Sequence, residues 1–197
     1  MRSNGLTLLV GILLSGCAHK VILQPVGPIV QVALDDGHAS ERPLTPSKTF
    51  ELLMRFDPAL PLYQLRRMWL SLAQPGRMTV SIYNSTKDGE PGEAIFSMDR
   101  TYDPSLISTG QDGKWVIETF DLPPQHAALW VGLSSPGGGN DPRLWASSND
   151  SGAVFMRDPD PSTPLSATKV PRTPLLRLEF SPTIEDPFAA KGKHKKR

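Results

Sequence analysis

The chain has 197 residues, with 21 basic and 20 acidic side chains for a formal net charge of +1, and one cysteine. That length allows one domain with a proper core and some flanking chain. The single cysteine excludes a disulfide framework, and 20 prolines with 16 glycines argue against long helices because they cut the chain into short segments.

At the N-terminus, Arg2 precedes an apolar run from Leu6 to Leu14, which closes on Leu14-Ser15-Gly16-Cys17. A charged start, a short apolar stretch and small residues before a cut form a secretory signal peptide. The run is about half the length needed to span a bilayer. The small-small-Cys ending resembles the lipobox of bacterial lipoproteins. That resemblance implies a signal peptide over residues 1–16, cleavage before Cys17, and acylation (palmitate included) of the Cys17 sulfur and its new amino group. A lone thiol in an oxidising compartment fits a capped group better than a structural one, and several acyl chains anchor a protein stably where one does so marginally. Ala18 follows the cysteine. In Gram-negative bacteria an Asp there commonly retains a lipoprotein at the inner membrane, so the expected location is the outer membrane, periplasmic or surface-facing.

Residues 17–48 read as the lipidated N-terminus and a proline-containing linker, with Pro25, Pro28, Pro43 and Pro46. Thirty-odd residues are long for a loop inside a domain. The alternation around Val30 and Val32 is the one place where a strand at a sheet edge competes with the linker reading. From residue 49 to 181 the pattern is that of strands. Phe50, Leu52, Met54 and Phe56 recur at period two, as do Met68, Leu70 and Leu72, then Met78, Val80 and Ile82. Asn84 to Gly92 supplies turn residues, with Asp88-Gly89 and Pro91-Gly92 as the strongest dipeptides. Further strands are expected at 94–98, 114–120, 128–134, 143–146, 153–157 and 175–180. Eight or nine short strands with no helical stretch predict an all-β, antiparallel sandwich.

The order Tyr63-x-Leu65, Val80-x-Ile82-Tyr83, Asp88-Gly89-x-Pro91-Gly92, Trp115 with Phe120, and Leu129-Trp130-Val131-Gly132-Leu133 resembles the choice-of-anchor R type domains of bacterial surface and exported proteins. The resemblance covers about two thirds of the chain and implies a jelly-roll-like β-sandwich and an exported location. It brings no catalytic residues. The chain departs from that family in carrying an N-terminal lipobox and no C-terminal sorting helix.

The chemistry for catalysis is thin. Of His19, His38, His126 and His194, only His126 falls in the folded region, in a Pro-Pro-Gln-His turn. Gly132-Leu133-Ser134-Ser135-Pro136 begins like a serine-hydrolase elbow but ends in proline with no helix after it. No histidine pair has metal-ligand spacing, and Gly137 to Gly139 lacks the ending of a phosphate loop. No catalytic residue, metal or cofactor is assigned, and an envelope hydrolase ranks a distant third. Asp35-Asp36-Gly37, Asn140-Asp141 and Asn149-Asp150 are oxygen-rich but read better as turn formers than as calcium ligands.

Aromatic rings offer the candidate ligand contacts. Trp69 is out of phase with Met68 and Leu70, and Trp130 with Leu129 and Val131, so both point away from the core side of their strands. With Trp145 and Tyr83 they form a candidate glycan-binding set, against the common alternative that such rings are buried. The tail from residue 182 to 197 is too polar to fold alone. Its Lys191, Lys193, Lys195, Lys196 and Arg197 form a candidate site for an anionic partner. With Lys191 to Arg197 and Arg2 set aside, 15 basic and 20 acidic residues remain, a net of −5. Nucleic acid is therefore not an expected partner of the body. The expected function is a non-catalytic, lipid-anchored envelope protein acting as a binding or scaffolding module at the outer membrane, with the membrane and an envelope protein or glycan as its expected partners. The alternative is a glycan-binding lipoprotein.

Overall fold

Period-two alternation sends Met68, Leu70 and Leu72 to one side of a strand and Trp69 and Ser71 to the other. In the computed structural model of the protein, the first three are wholly buried in the core. The structure describes residues 24–25, 27–40, 42–107, 115–137, 140–158 and 168–184. The expected signal peptide, Cys17 and the basic residues of the tail lie outside them.

The described residues form fourteen strands: β1 (Gln24–Pro25), β2 (Val30–Ala33), β3 (Glu51–Phe56), β4 (Tyr63–Gln74), β5 (Gly76–Ser85), β6 (Pro91–Tyr102), β7 (Trp115–Thr119), β8 (Leu129–Ser134), β9 (Arg143–Leu144), β10 (Ala146–Ser147), β11 (Val154–Arg157), β12 (Thr168–Lys169), β13 (Thr173–Pro174) and β14 (Leu176–Ile184). Nine of them have four residues or more. The one helical turn among the described residues, Pro104–Leu106, is 3-10. All pairings are antiparallel. The first sheet runs β1-β14-β4-β7, with β2 on β14 and β9 on β4; the second runs β12-β11-β3-β8-β5-β6; β10 and β13 form a separate two-stranded pair.

A single apolar cluster joins Met68, Leu70, Leu176, Leu178 and Phe180 of the first sheet to Leu52, Met54, Val80, Ile82, Val131 and Leu133 of the second. This is a two-layer antiparallel β-sandwich. The chain alternates between layers: β3 in the second sheet, β4 in the first, β5 and β6 in the second, β7 in the first, β8 in the second. Pro75 marks the step from β4 to β5, because it has no N–H for a ladder. Edge-to-face rings at 5.0 Å (Tyr63 and Phe180) and 5.3 Å (Phe96 and Phe120) complete the filling. Each fully buried leucine or phenylalanine contributes about 1.5–3 kcal/mol.

The linker expected over 17–48 is corrected by the structure from residue 24 onward. Val30 and Val32 do form an edge strand, pairing with Phe180 and Leu178. Leu44 is buried and bridges to Leu144. Residues 24–184 make one compact unit. Apolar side chains at Val32, Leu34 and Leu44 pack against the core, which outweighs the proline content that favours a linker. Two strands run well past their expected ends: β6 begins at Pro91, not at 94, because Thr86 and Glu90 close a tight turn by a 2.8 Å backbone bond, and β14 continues to Ile184, so residues 182–184 belong to the sheet and not to the expected tail.

Candidate functional site

The outer face of the first sheet gathers most of the unusual side chains. Since Leu70 and Leu72 point into the core, Trp69 and Ser71 face outward. Arg177 lies between core residues Leu176 and Leu178, so it faces outward too, and it is the register partner of Trp69. On the other flank of β4, Ile117 pairs with Trp69 and Trp115 with Ser71. One row across the sheet therefore reads Ala33, Arg177, Trp69, Ile117. Trp145 sits between core residues Leu144 and Ala146 and its backbone N–H donates to the Ser71 carbonyl at 3.0 Å, which puts a third indole on this face. The three rings are half-buried and Ile117 is 46% exposed.

Arg177 organises the charge of this face. Its guanidinium lies 4.5 Å over the Trp115 ring and donates to Asp35 Oδ1 at 3.1 Å. A cation over an indole is worth about 0.5–2 kcal/mol. The Asp35 side chain is fully buried, and its Oδ1 also accepts the Gly37 N–H at 2.8 Å. Asp35 Oδ2, Arg177 Nε, Trp69 Nε1, Ser71 Oγ and Trp145 Nε1 are buried without a hydrogen-bond partner among the described residues. A buried polar group left unsatisfied costs about 1–3 kcal/mol, so each of these atoms calls for a partner such as an ordered water or a ligand.

The outer face of the second sheet is different: it is filled from within. Glu51 and Arg157, register partners on β3 and β11, are both buried and joined at 2.6 Å. Tyr83 donates its hydroxyl to the other Glu51 oxygen at 2.7 Å, and the Arg157 guanidinium lies 4.7 Å over its ring. Burial, then the Glu51 charge and that hydrogen bond, push the Tyr83 phenol up to about 12. Gly132 makes room, since a Cβ there would collide with the Glu51 carboxylate and come within 2.8 Å of the Tyr83 ring. Trp130 packs against Phe155, ring centroids 5.7 Å apart, and donates its indole N–H to the Gly89 carbonyl at 3.2 Å. Gly89 takes φ 82°, the left-handed conformation expected of the Asp88-Gly89 turn.

The four proposed glycan-binding residues are therefore not one set. Trp69 and Trp145 share the first sheet's outer face. Tyr83 (9% exposed) and Trp130 (3%) lie on the opposite side of the sandwich and are covered. Period two told correctly that Trp69 and Trp130 point away from the core, but both sheets have an outer side, and one of them is packed. Trp115, Arg177 and Asp35 were missed. The outward phase of Arg177 was legible between Leu176 and Leu178. Its neighbourhood was not, because nothing local says that β14 lies beside β4.

The remaining chemistry resolves into turns. His126 hydrogen-bonds the Pro61 carbonyl at 3.0 Å, and the Ser135 hydroxyl donates to Asp141. Asp35, Asp36 and Asp150 each accept a backbone N–H two residues on, which is turn chemistry. Among the described residues no group of three or more His, Cys, Asp or Glu is gathered for a metal, and no helix is long and apolar enough to cross a membrane.

No protein-family model and no curated protein matches the chain. Among solved structures it is similar to a chain in the structure of infectious bursal disease virus Gx strain, at 12% identity and a TM-score of 0.28, over 80% of this chain and 36% of that one. The chain thus spans about a third of that chain's length, and a score so low carries no argument about either.

Proposed function

We propose that the protein is a non-catalytic, lipid-anchored binding module of the cell envelope, tethered to the outer membrane through Cys17 and meeting its partner with the outer face of the first sheet. One observation carries the choice of face. Trp69, Trp115 and Trp145 converge there with the Arg177–Asp35 pair and with buried polar atoms that have no partner among the described residues. Aromatic rings and arginine are the residues that dominate binding energy at protein interfaces. The tether is supported by the sequence alone, through Leu14-Ser15-Gly16-Cys17. A saccharide is the second reading, favoured by three indoles on one face, since sugars stack on such rings.

Site-specific photo-crosslinking in intact cells tests the face. A probe at Ile117 should capture an envelope component, Arg177→Gln should abolish that capture, and a probe at Arg55 on the second sheet should capture nothing. Equal capture from both positions would sink the assignment. Affinity electrophoresis through envelope polysaccharides separates the two readings: retardation lost in Trp69→Ala selects the saccharide. Labelled palmitate incorporated by the native chain but not by Cys17→Ser tests the tether.

A further inference from the structure

At the end of the first sheet where β1 meets β14, the two strands and β4 enclose an open groove of about 370 Å³, lined by Pro25, Gly27, Ile29, Arg66, Arg67, Glu179 and Ser181. A β-bulge puts two cations there. Glu179 pairs with Arg67 but Phe180 pairs with Leu65, so Arg66 is the extra residue, and Arg66 and Arg67 line the same side. Arg67 reaches Glu179 at 3.6 Å, while among the described residues no carboxylate pairs with Arg66. The groove holds two arginines to one glutamate, on a body whose net charge is negative.

Beside the cations stand apolar side chains in water. Ile29, in the groove wall, is 59% exposed, and Ile184, which closes β14 against β1, is 46% exposed. Exposed aliphatic residues next to arginines are the composition of a surface that sits at a bilayer interface, the apolar groups among acyl chains and the cations among phosphates. The position fits. Pro25 follows Cys17 by eight residues, a stretch that spans at most about 28 Å.

We propose that this end of the sandwich docks onto the bilayer that holds the anchor, with Arg66 and Arg67 on the phosphates of anionic phospholipid and Ile29 in the interface. The proposal rests on the tether reading for its orientation, but its test does not. Residues 17–197 with Cys17→Ser carry no lipid, so any partitioning comes from the protein itself, and the basic tail is common to every variant compared. They are sedimented with vesicles of phosphatidylcholine, and with vesicles that also contain phosphatidylglycerol. Each basic side chain near an anionic surface is worth about fivefold in partitioning. Arg66→Gln should weaken binding to the anionic vesicles about fivefold, and Arg66→Gln/Arg67→Gln about 25-fold, with an unchanged thermal midpoint for the first as the control for folding. Ile29→Ser should weaken it further. Unchanged binding in the double variant overturns the proposal. So does release from the vesicles by inorganic phosphate at constant ionic strength, which would make the groove a site for a free anion. Loss of palmitate labelling at Cys17 with vesicle binding intact would remove the tether and leave this surface standing.

Discussion

Separating Glu51 from Arg157 provides a quantitative test of the second sheet. Both side chains are 5% exposed and their charged atoms lie 2.6 Å apart. Truncating one partner strands a buried charge, which destabilises by about 3–5 kcal/mol. Glu51→Leu and Arg157→Met are thus each expected to remove that much, a large share of the roughly 5–15 kcal/mol that holds a domain together. In the double variant neither charge remains. Replacing a buried pair by apolar residues is often neutral, and the residual loss of about 1–3 kcal/mol comes from the Tyr83 hydroxyl, left without its acceptor. The singles together predict about 6–10 kcal/mol, so the cycle should show a coupling of at least about 3 kcal/mol. Urea unfolding at constant slope reads it: a single variant should lose about 2 M in midpoint, and the double should recover most of that. Additive losses, with the double variant least stable of all, would refute the pairing.

Three further outcomes follow from the same geometry. Gly132→Ala should destabilise about as much as Glu51→Leu and add little to it, because the new methyl displaces the carboxylate; full additivity in urea would show that Glu51 does not lie over Gly132. All three tyrosines have phenols pushed upward, mainly by burial. The folded state therefore favours the neutral phenol, and stability is constant below the unfolded value near 10 and falls as pH rises through about 12 for Tyr83. Absorbance at 295 nm should show no more than about a tenth of one phenolate at pH 11 while the protein stays folded. Removing residues 191–197 should leave the thermal midpoint unchanged yet weaken low-salt binding of the unlipidated chain to anionic vesicles, an effect that salt screens over about 8 Å at physiological strength; a shifted midpoint with unchanged binding would place those charges against the body instead.

The sandwich was legible because its signal is local. Met68, Leu70 and Leu72, or Met78, Val80 and Ile82, need only their own strand to declare a buried side, and all six are buried without remainder. Edge strands give a weaker signal, since only one flank is paired. Val30 and Val32 therefore lost to the prolines around them in the sequence, although β14 holds them. The candidate site was half legible for a related reason. Outward phase is written in each strand, but the convergence of Trp69, Trp115 and Arg177 depends on which strands are neighbours. Glu51 shows the same limit: a charged residue between Phe50 and Leu52 reads as solvated, and only the arrival of Arg157 from 106 residues away makes its burial tolerable.

The rung between Gln24 and Ile184 joins the first described residue to the last. The path through the domain is thus nearly a closed ring, which opens and shuts at one place on the rim of the first sheet. A pull along the chain on either flank is delivered to that same rung. It acts on β1, two residues long, whose bonds to β14 break in succession, as the teeth of a zipper do. Gly27 and Pro28 separate those two rungs from the four rungs of β2, which are the next to bear the load. Force reaching the domain is spent at its margin, while β3, β5 and β8, which lie in the middle of the other sheet, are left out of its path.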